Sequence, residues 1–129
     1  RLRLVAFSHL PLGRSLRASV GRIIYYLHTT SKGRTLLMRS DDILQLEDPD
    51  PSGADPVVCE NVKYFVVQCY DENGNAYDRW DSEAGEFDYA TPRAVKVVLE
   101  VIDDAQADRT YKFETMVAVP VYREAMREK

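Results

Sequence analysis

At 129 residues the chain is long enough for one domain that buries about two-thirds of its unfolded surface. Its 45% hydrophobic and 29% charged residues exclude a disordered polymer. The formal net charge of −4, with basic residues scattered along the chain, argues against a nucleic-acid partner, because phosphate binding relies on clustered Lys and Arg.

No apolar run approaches the roughly 20 residues of a membrane-spanning helix, and no signal-peptide apolar region opens the chain. From Arg1 to His9 basic and apolar residues alternate and predict a strand with Leu2, Leu4 and Ala6 on one face. Pro11 and Gly13 end it, and Leu10 to Gly21 reads as a loop with room for one helical turn near Ser15 to Ser19. Arg22 to His28 is dense in β-branched and aromatic side chains, which suit a pleated, half-buried surface. A turn at Lys32-Gly33 and a return through Arg34 to Arg39 complete a hairpin.

From Asp41 to Pro56 prolines, a glycine and acidic residues predict an exposed loop. Val62 to Tyr70 is a strand, and Asp71-Glu72-Asn73-Gly74-Asn75 its turn, because Asn-Gly supplies the positive φ angles of tight hairpins. The same residues have the D-x-N-x-N look of a calcium loop. However, Ala76 stands where that loop needs its sharp-turn glycine and Ser82 where it needs a bidentate Glu. Ala76 to Ser82 is expected to return as a strand carrying Tyr77 and Trp80, and Glu83 to Ala90 to be a polar excursion. After Thr91-Pro92, Val95, Val97, Leu99 and Val101 face one way against Lys96, Val98 and Glu100. Past an acidic turn at Asp103 to Asp108, Tyr111, Phe113, Val117 and Val119 repeat the alternation to Pro120. The expectation is a mainly β fold of antiparallel sheets with about seven strands, as one domain over 1–122 and a frayed, charged tail over 123–129. Antiparallel sheets need a second layer: another sheet, or a helix outside this sequence.

Chemistry is sparse. Ser8 and His9 are neighbours on a strand and point to opposite faces. His28 lies in a strand pattern that suits a structural histidine, and the acid pairs Asp41-Asp42 and Asp103-Asp104 fall in expected turns. No Gly-rich phosphate loop and no G-x-S-x-G elbow occurs. Cys59 and Cys69 are flanked by apolar residues and read as packed thiols or one disulfide, and their spacing does not suit a metal site. The residues therefore nominate no catalytic, metal-ligating or cofactor-binding group.

Val62-x-x-Phe65-x-x-x-x-Tyr70-Asp71-x-x-Gly74, then Trp80, then Pro92-x-Ala94-Val95-x-Val97-x-Leu99 resembles the J-type minor pseudopilins of the type II secretion system (general secretion pathway protein J). Ile23-x-Tyr25-x-Leu27 with Leu36-Leu37-x-Arg39 resembles the hairpin before that region, and Arg109 to Pro120 its closing strand, so the resemblance spans residues 2 to 122. Thr91 and the acidic stretches Asp41 to Pro56 and Glu83 to Ala90 depart from the family pattern and keep a minor pilin of a type IV pilus-like system open. The resemblance implies a pilin-like α+β fold completed by an N-terminal helix upstream of Arg1. That helix would be anchored in the inner membrane, with this domain in the periplasm and a prepilin peptidase site before the helix. It implies a structural subunit at the pseudopilus tip, partnered by H-, I- and K-type minor pseudopilins, with no cofactor and no reaction. A periplasmic β domain that binds a small ligand is the reading of a different class.

Overall fold

The structure is a computed structural model and describes residues 1–6, 21–43 and 55–125. Over these residues it is mainly β, with eight strands in two antiparallel four-stranded sheets. β1 (Leu2–Ala6), β2 (Gly21–Thr29), β3 (Thr35–Ile43) and β4 (Val57–Cys59) form one sheet in that order. β5 (Val62–Tyr70), β6 (Ala76–Tyr77), β7 (Ala94–Ile102) and β8 (Thr110–Ala118) form the other, in the order β6-β5-β7-β8. Among the described residues the only helical element is a 3-10 turn, Gly85–Phe87. The chain divides into two compact units, Arg1–Lys63 with Val101–Thr110, and Tyr64–Glu100 with Tyr111–Lys129.

In the first unit β2 and β3 are the expected hairpin, registered from Gly21 opposite Ile43 to Thr29 opposite Thr35. Thr30 N–H donates to Arg34 O at 2.8 Å and Gly33 N–H to Thr30 O at 2.9 Å. Gly33 takes φ 77°, which a side chain would disfavour. On one face of β2 and β3 lie Ile23 and Leu37, on the other Ile24 and Met38, and all four are buried, as is Val62. Burial of such side chains contributes about 1.5–3 kcal/mol each, so this hairpin, covered on both faces, holds the core. β1 alternates as expected, with Leu2 and Leu4 half-buried and Arg1, Arg3 and Val5 exposed.

Three expectations change. The loop predicted from Asp41 begins later, because β3 continues to Ile43 opposite β2; residues 44–54 lie outside the described residues, as do 7–20. The return strand predicted over Ala76 to Ser82 stops after Tyr77, since Trp80 turns back to pack on residues further along the chain. The Glu83 to Ala90 stretch folds into the Gly85–Phe87 turn, with Asp88 and Tyr89 in left-handed conformations at φ 50° and 56°. The expected count of about seven strands holds, with eight among the described residues, the addition being Val57–Cys59, which pairs with β3 across a register shift at Leu37/Met38.

In the second unit alternation gives the sheet two unlike faces. Tyr64 hydrogen-bonds Glu100 across β5 and β7, and Lys96 Nζ lies 2.8 Å from Glu114 Oε1 across β7 and β8. These contacts put the even-numbered side chains of the three strands on one side. The other side therefore carries Phe65, Val67 and Cys69 of β5, Val95, Val97 and Leu99 of β7, and Phe113, Thr115 and Val117 of β8. Every one of these side chains is half-buried or exposed, so the described residues leave this apolar face uncovered over much of its area.

Candidate functional site

The titratable groups of the described residues are taken up locally and do not converge. Arg39 and Asp41 follow each other on one face of β3, and Arg39 Nη2 donates to Asp41 Oδ2 at 2.9 Å. Arg39 Nη1 donates to Tyr25 Oη at 2.9 Å, and the guanidinium lies 5.5 Å from the centre of that ring. The Arg39 side chain is 20% exposed and the Asp41 side chain 3%, so this is a closed, buried ion pair rather than part of a solvated loop. Tyr26, on the other face, donates to Asp55 Oδ2 at 2.7 Å. Burial first, and that hydrogen bond second, push its phenol up to about 12.

At one end of the first unit Arg34 Nε donates to Asn61 Oδ1 at 3.3 Å, and its Nη2 lies 3.6 Å from Asp104 and 3.9 Å from Glu60. Asn61, at φ 53°, also donates from its amide to Asp104. The Arg34, Glu60 and Asp104 side chains are about half exposed or more. They lock three turns together, and such exposed pairs contribute little stability each.

Asp71 organises the Asn-Gly turn. Its carboxylate accepts from Asn73 N at 2.9 Å, Asn75 N at 2.8 Å, Asn75 Nδ2 at 2.8 Å and the Tyr77 hydroxyl at 3.2 Å. Gly74 supplies φ 82°. The Asn75 side chain, more than the backbone bonds, holds the Asp71 carboxyl below the usual carboxylate range. The D-x-N-x-N residues thus form a hairpin turn, and their leading acid is spent on its own backbone.

Beyond it, Tyr77, Trp80 and Phe87 form an aromatic cluster. Trp80 and Phe87 stack with centroids 4.4 Å apart, while Tyr77 meets both edge-on at 5.5 and 5.6 Å. The Trp80 indole N–H donates to Ala90 O at 3.0 Å. Tyr77 pairs with Cys69 in the β5–β6 register, which puts the cluster at the border of the apolar face. Sequence reasoning missed this mini-core; the seven-residue spacing of Trp80 and Phe87 across a polar stretch was its only trace.

The C-terminal segment is also held. Thr91 N–H donates to Arg123 O at 3.0 Å, and the Arg123 side chain donates to the carbonyls of Tyr89 and Ser82. Arg93 stacks 3.3 Å from the Tyr122 ring centre. Arg123, where a frayed tail was expected to begin, is therefore docked; residues 126–129 lie outside the described residues. His28 is exposed on β2; Ser8 and His9 lie outside the described residues. Cys59 and Cys69 are free, half-buried thiols, and burial pushes the Cys69 thiol up. Asp103 accepts from Ala105 N at 2.8 Å within its own turn. No group of three or more His, Cys, Asp or Glu suited to a metal occurs among the described residues.

β8 presents large apolar side chains to solvent. Phe113, Val117 and Met116 are 59%, 57% and 56% exposed. Phe113 and Val117 lie on the uncovered face with Val95, Val97 and Leu99. The described residues define a mainly antiparallel β structure with an exposed apolar sheet face. Comparison with protein-family models, with curated proteins and with solved structures found no match.

Proposed function

We propose that this domain is an assembly subunit, the periplasmic part of a J-type minor pseudopilin at the tip of a type II secretion pseudopilus. The single observation that carries the assembly reading is the uncovered apolar face of β5, β7 and β8. Contiguous apolar surface of this kind marks a place where another element packs. The polar groups support the same reading, since Asp71, Asp41, Arg34 and Arg123 are each engaged in turns, ion pairs or carbonyl contacts. The specific family rests on the residue pattern Phe65, Tyr70, Gly74, Trp80 and Pro92. In that family a helix from the N-terminal side covers the sheet and carries the inner-membrane anchor, and H-, I- and K-type subunits complete the tip.

Two observations test it. The gene upstream of Arg1 is expected to encode an apolar segment of about 20 residues preceded by a Gly-Phe-type processing site, with a Glu five residues into the processed chain. The full-length protein, co-expressed with I- and K-type subunits of its own organism, is expected to purify as a complex with them. A conventional secretory signal, or a chain that elutes alone, rejects the pseudopilin assignment.

A further inference from the structure

Among the described residues β8 is the outer strand of its sheet, and all nine of its residues, Thr110–Ala118, are exposed. Val119 N–H donates to Arg93 O at 2.8 Å and Asp103 N–H to Arg109 O at 2.9 Å, so the odd-numbered backbone groups of β8 are directed to β7. In an antiparallel ladder alternate residues bond to each side, which leaves the N–H and C=O of Lys112, Glu114 and Met116 directed outward. Edges of this length are commonly blunted by Pro, by a bulge or by a row of charges. β8 contains no Pro and no Gly, and its charges are one Lys and one Glu on a single face.

We propose that β8 is a self-pairing edge, to which a second copy of this chain adds antiparallel about a two-fold axis through Phe113. Charge selects the register. Full overlap centred on Glu114 sets two glutamates opposite each other, an unfavourable cross-strand pair. With the axis at Phe113, Lys112 of each copy stands opposite Glu114 of the other, twice over by symmetry. Tyr111 then faces Thr115, and the two Phe113 rings meet at a non-hydrogen-bonded position, where opposed side chains approach most closely. An axis at Thr115 pairs no charges. Lys112 and Glu114 are 57% and 47% exposed, and Glu114 Oε2 is 4.0 Å from its own Lys112. That oxygen is more loosely held than Oε1, which lies 2.8 Å from Lys96, and is the one an incoming lysine takes. Pairing in this register joins the apolar faces of two sheets into one continuous surface. The interface is shorter than a standard one, so the dimer is weak and concentration-dependent. The inference rests on the strand edge and not on the pseudopilin reading.

Sedimentation equilibrium of the chain over a rising concentration series is expected to show a monomer–dimer equilibrium. Lys112→Glu and Glu114→Lys each set like charges opposite and weaken the dimer about tenfold. An equimolar mixture of the two variants regains it, because each introduced charge then meets its opposite. Under mild oxidation Phe113→Cys is expected to cross-link as a symmetric dimer faster than Thr115→Cys, with the unchanged chain as the control for Cys59 and Cys69; circular dichroism confirms that each variant is folded. A monomer at every concentration overturns the proposal. So do charge variants that self-associate like the parent, a mixture that stays monomeric, or faster cross-linking at position 115.

Discussion

Trp80 lies flat against Phe87, with centroids 4.4 Å apart and planes 22° from parallel, while its indole N–H holds Ala90 O at 3.0 Å. The stretch between them is rich in Asp, Glu, Ser and Gly, which alone would favour an extended, solvated loop. The aromatic contact and the one indole hydrogen bond make it a folded segment instead. Phe87→Ala is expected to cost about 1–2 kcal/mol, since the ring is half-buried and its loss removes both area and an aromatic pair. Urea unfolding gives that cost. Because Trp80 is the only tryptophan, its emission reports the site directly and is expected to shift to longer wavelength in the folded variant. An unchanged spectrum would mean the stack does not define the indole environment.

The Arg39–Asp41 pair calls for a different kind of substitution. Asp41 is 3% exposed, so Asp41→Ala leaves a partly buried guanidinium with one partner fewer, at a cost of about 3 kcal/mol. Replacing both, as Arg39→Met with Asp41→Ala, removes the stranded charge and is expected to recover much of the loss. The readout is the double-mutant cycle in urea. Additive losses in the double variant would show that packing of each residue, not their pairing, is what matters.

Tyr26 gives the fold an alkaline limit. Its phenol is pushed up to about 12, against about 10 in an unfolded chain. Above the lower value the unfolded chain sheds a proton that the folded one keeps, so stability present below pH of about 10 is lost progressively toward about 12. Tyr26→Phe removes this contribution. Spectrophotometric titration is expected to show a phenolate forming near about 12 disappear in that variant, with a flatter fall of stability across the same window. A variant whose titration curve matches the parent would rule out Tyr26 as its source.

Asp71 sets an acid limit of opposite sign. Its folded carboxyl is held low by Asn75, so its contribution is present above the unfolded value of about 3.9 and fades as pH falls through the folded one. The Asn73 and Asn75 amides, which donate to it, are expected to titrate by NMR with midpoints below about 3.9. The inflection is expected to vanish in Asp71→Asn. Midpoints at or above the ordinary value would contradict the hydrogen-bonded turn.

How far these features were legible depends on whether a residue's partner lies nearby in the sequence. The β2–β3 hairpin, the bounds of β5 and the Asn-Gly turn follow from alternation and turn chemistry, which are local. Asp41 was misread because Asp in a Pro- and Asp-rich neighbourhood signals a loop; its burial depends on Arg39 and on Tyr25 of the facing strand. Arg123 was misread for the same reason, since Thr91, Tyr89 and Ser82, which hold it, lie more than 30 residues away. The apolar side of β7 was visible as Val95, Val97 and Leu99. Whether another sheet or a helix outside this sequence covers it stayed open, because exposure is a property of the packed chain and not of the pattern.

Val117 and Met116 are neighbours on β8 with nearly equal exposure, 57% and 56%, yet they project from opposite faces of the sheet. That makes them a matched pair for asking what the apolar face does. Val117→Asp places a charge among Val95, Val97 and Thr115; Met116→Asp places the same charge on the opposite face, beside Lys96 and Glu114. Both positions are solvent-accessible, so neither change is expected to cost more than about 1 kcal/mol of fold stability. If the apolar face is where the proposed N-terminal helix packs to complete an assembly-competent subunit, Val117→Asp abolishes co-purification of the full-length protein with the I- and K-type subunits, and Met116→Asp leaves it intact. Equal loss in both variants would point to the β8 edge rather than the face, and retention in both would remove the face from the assembly altogether.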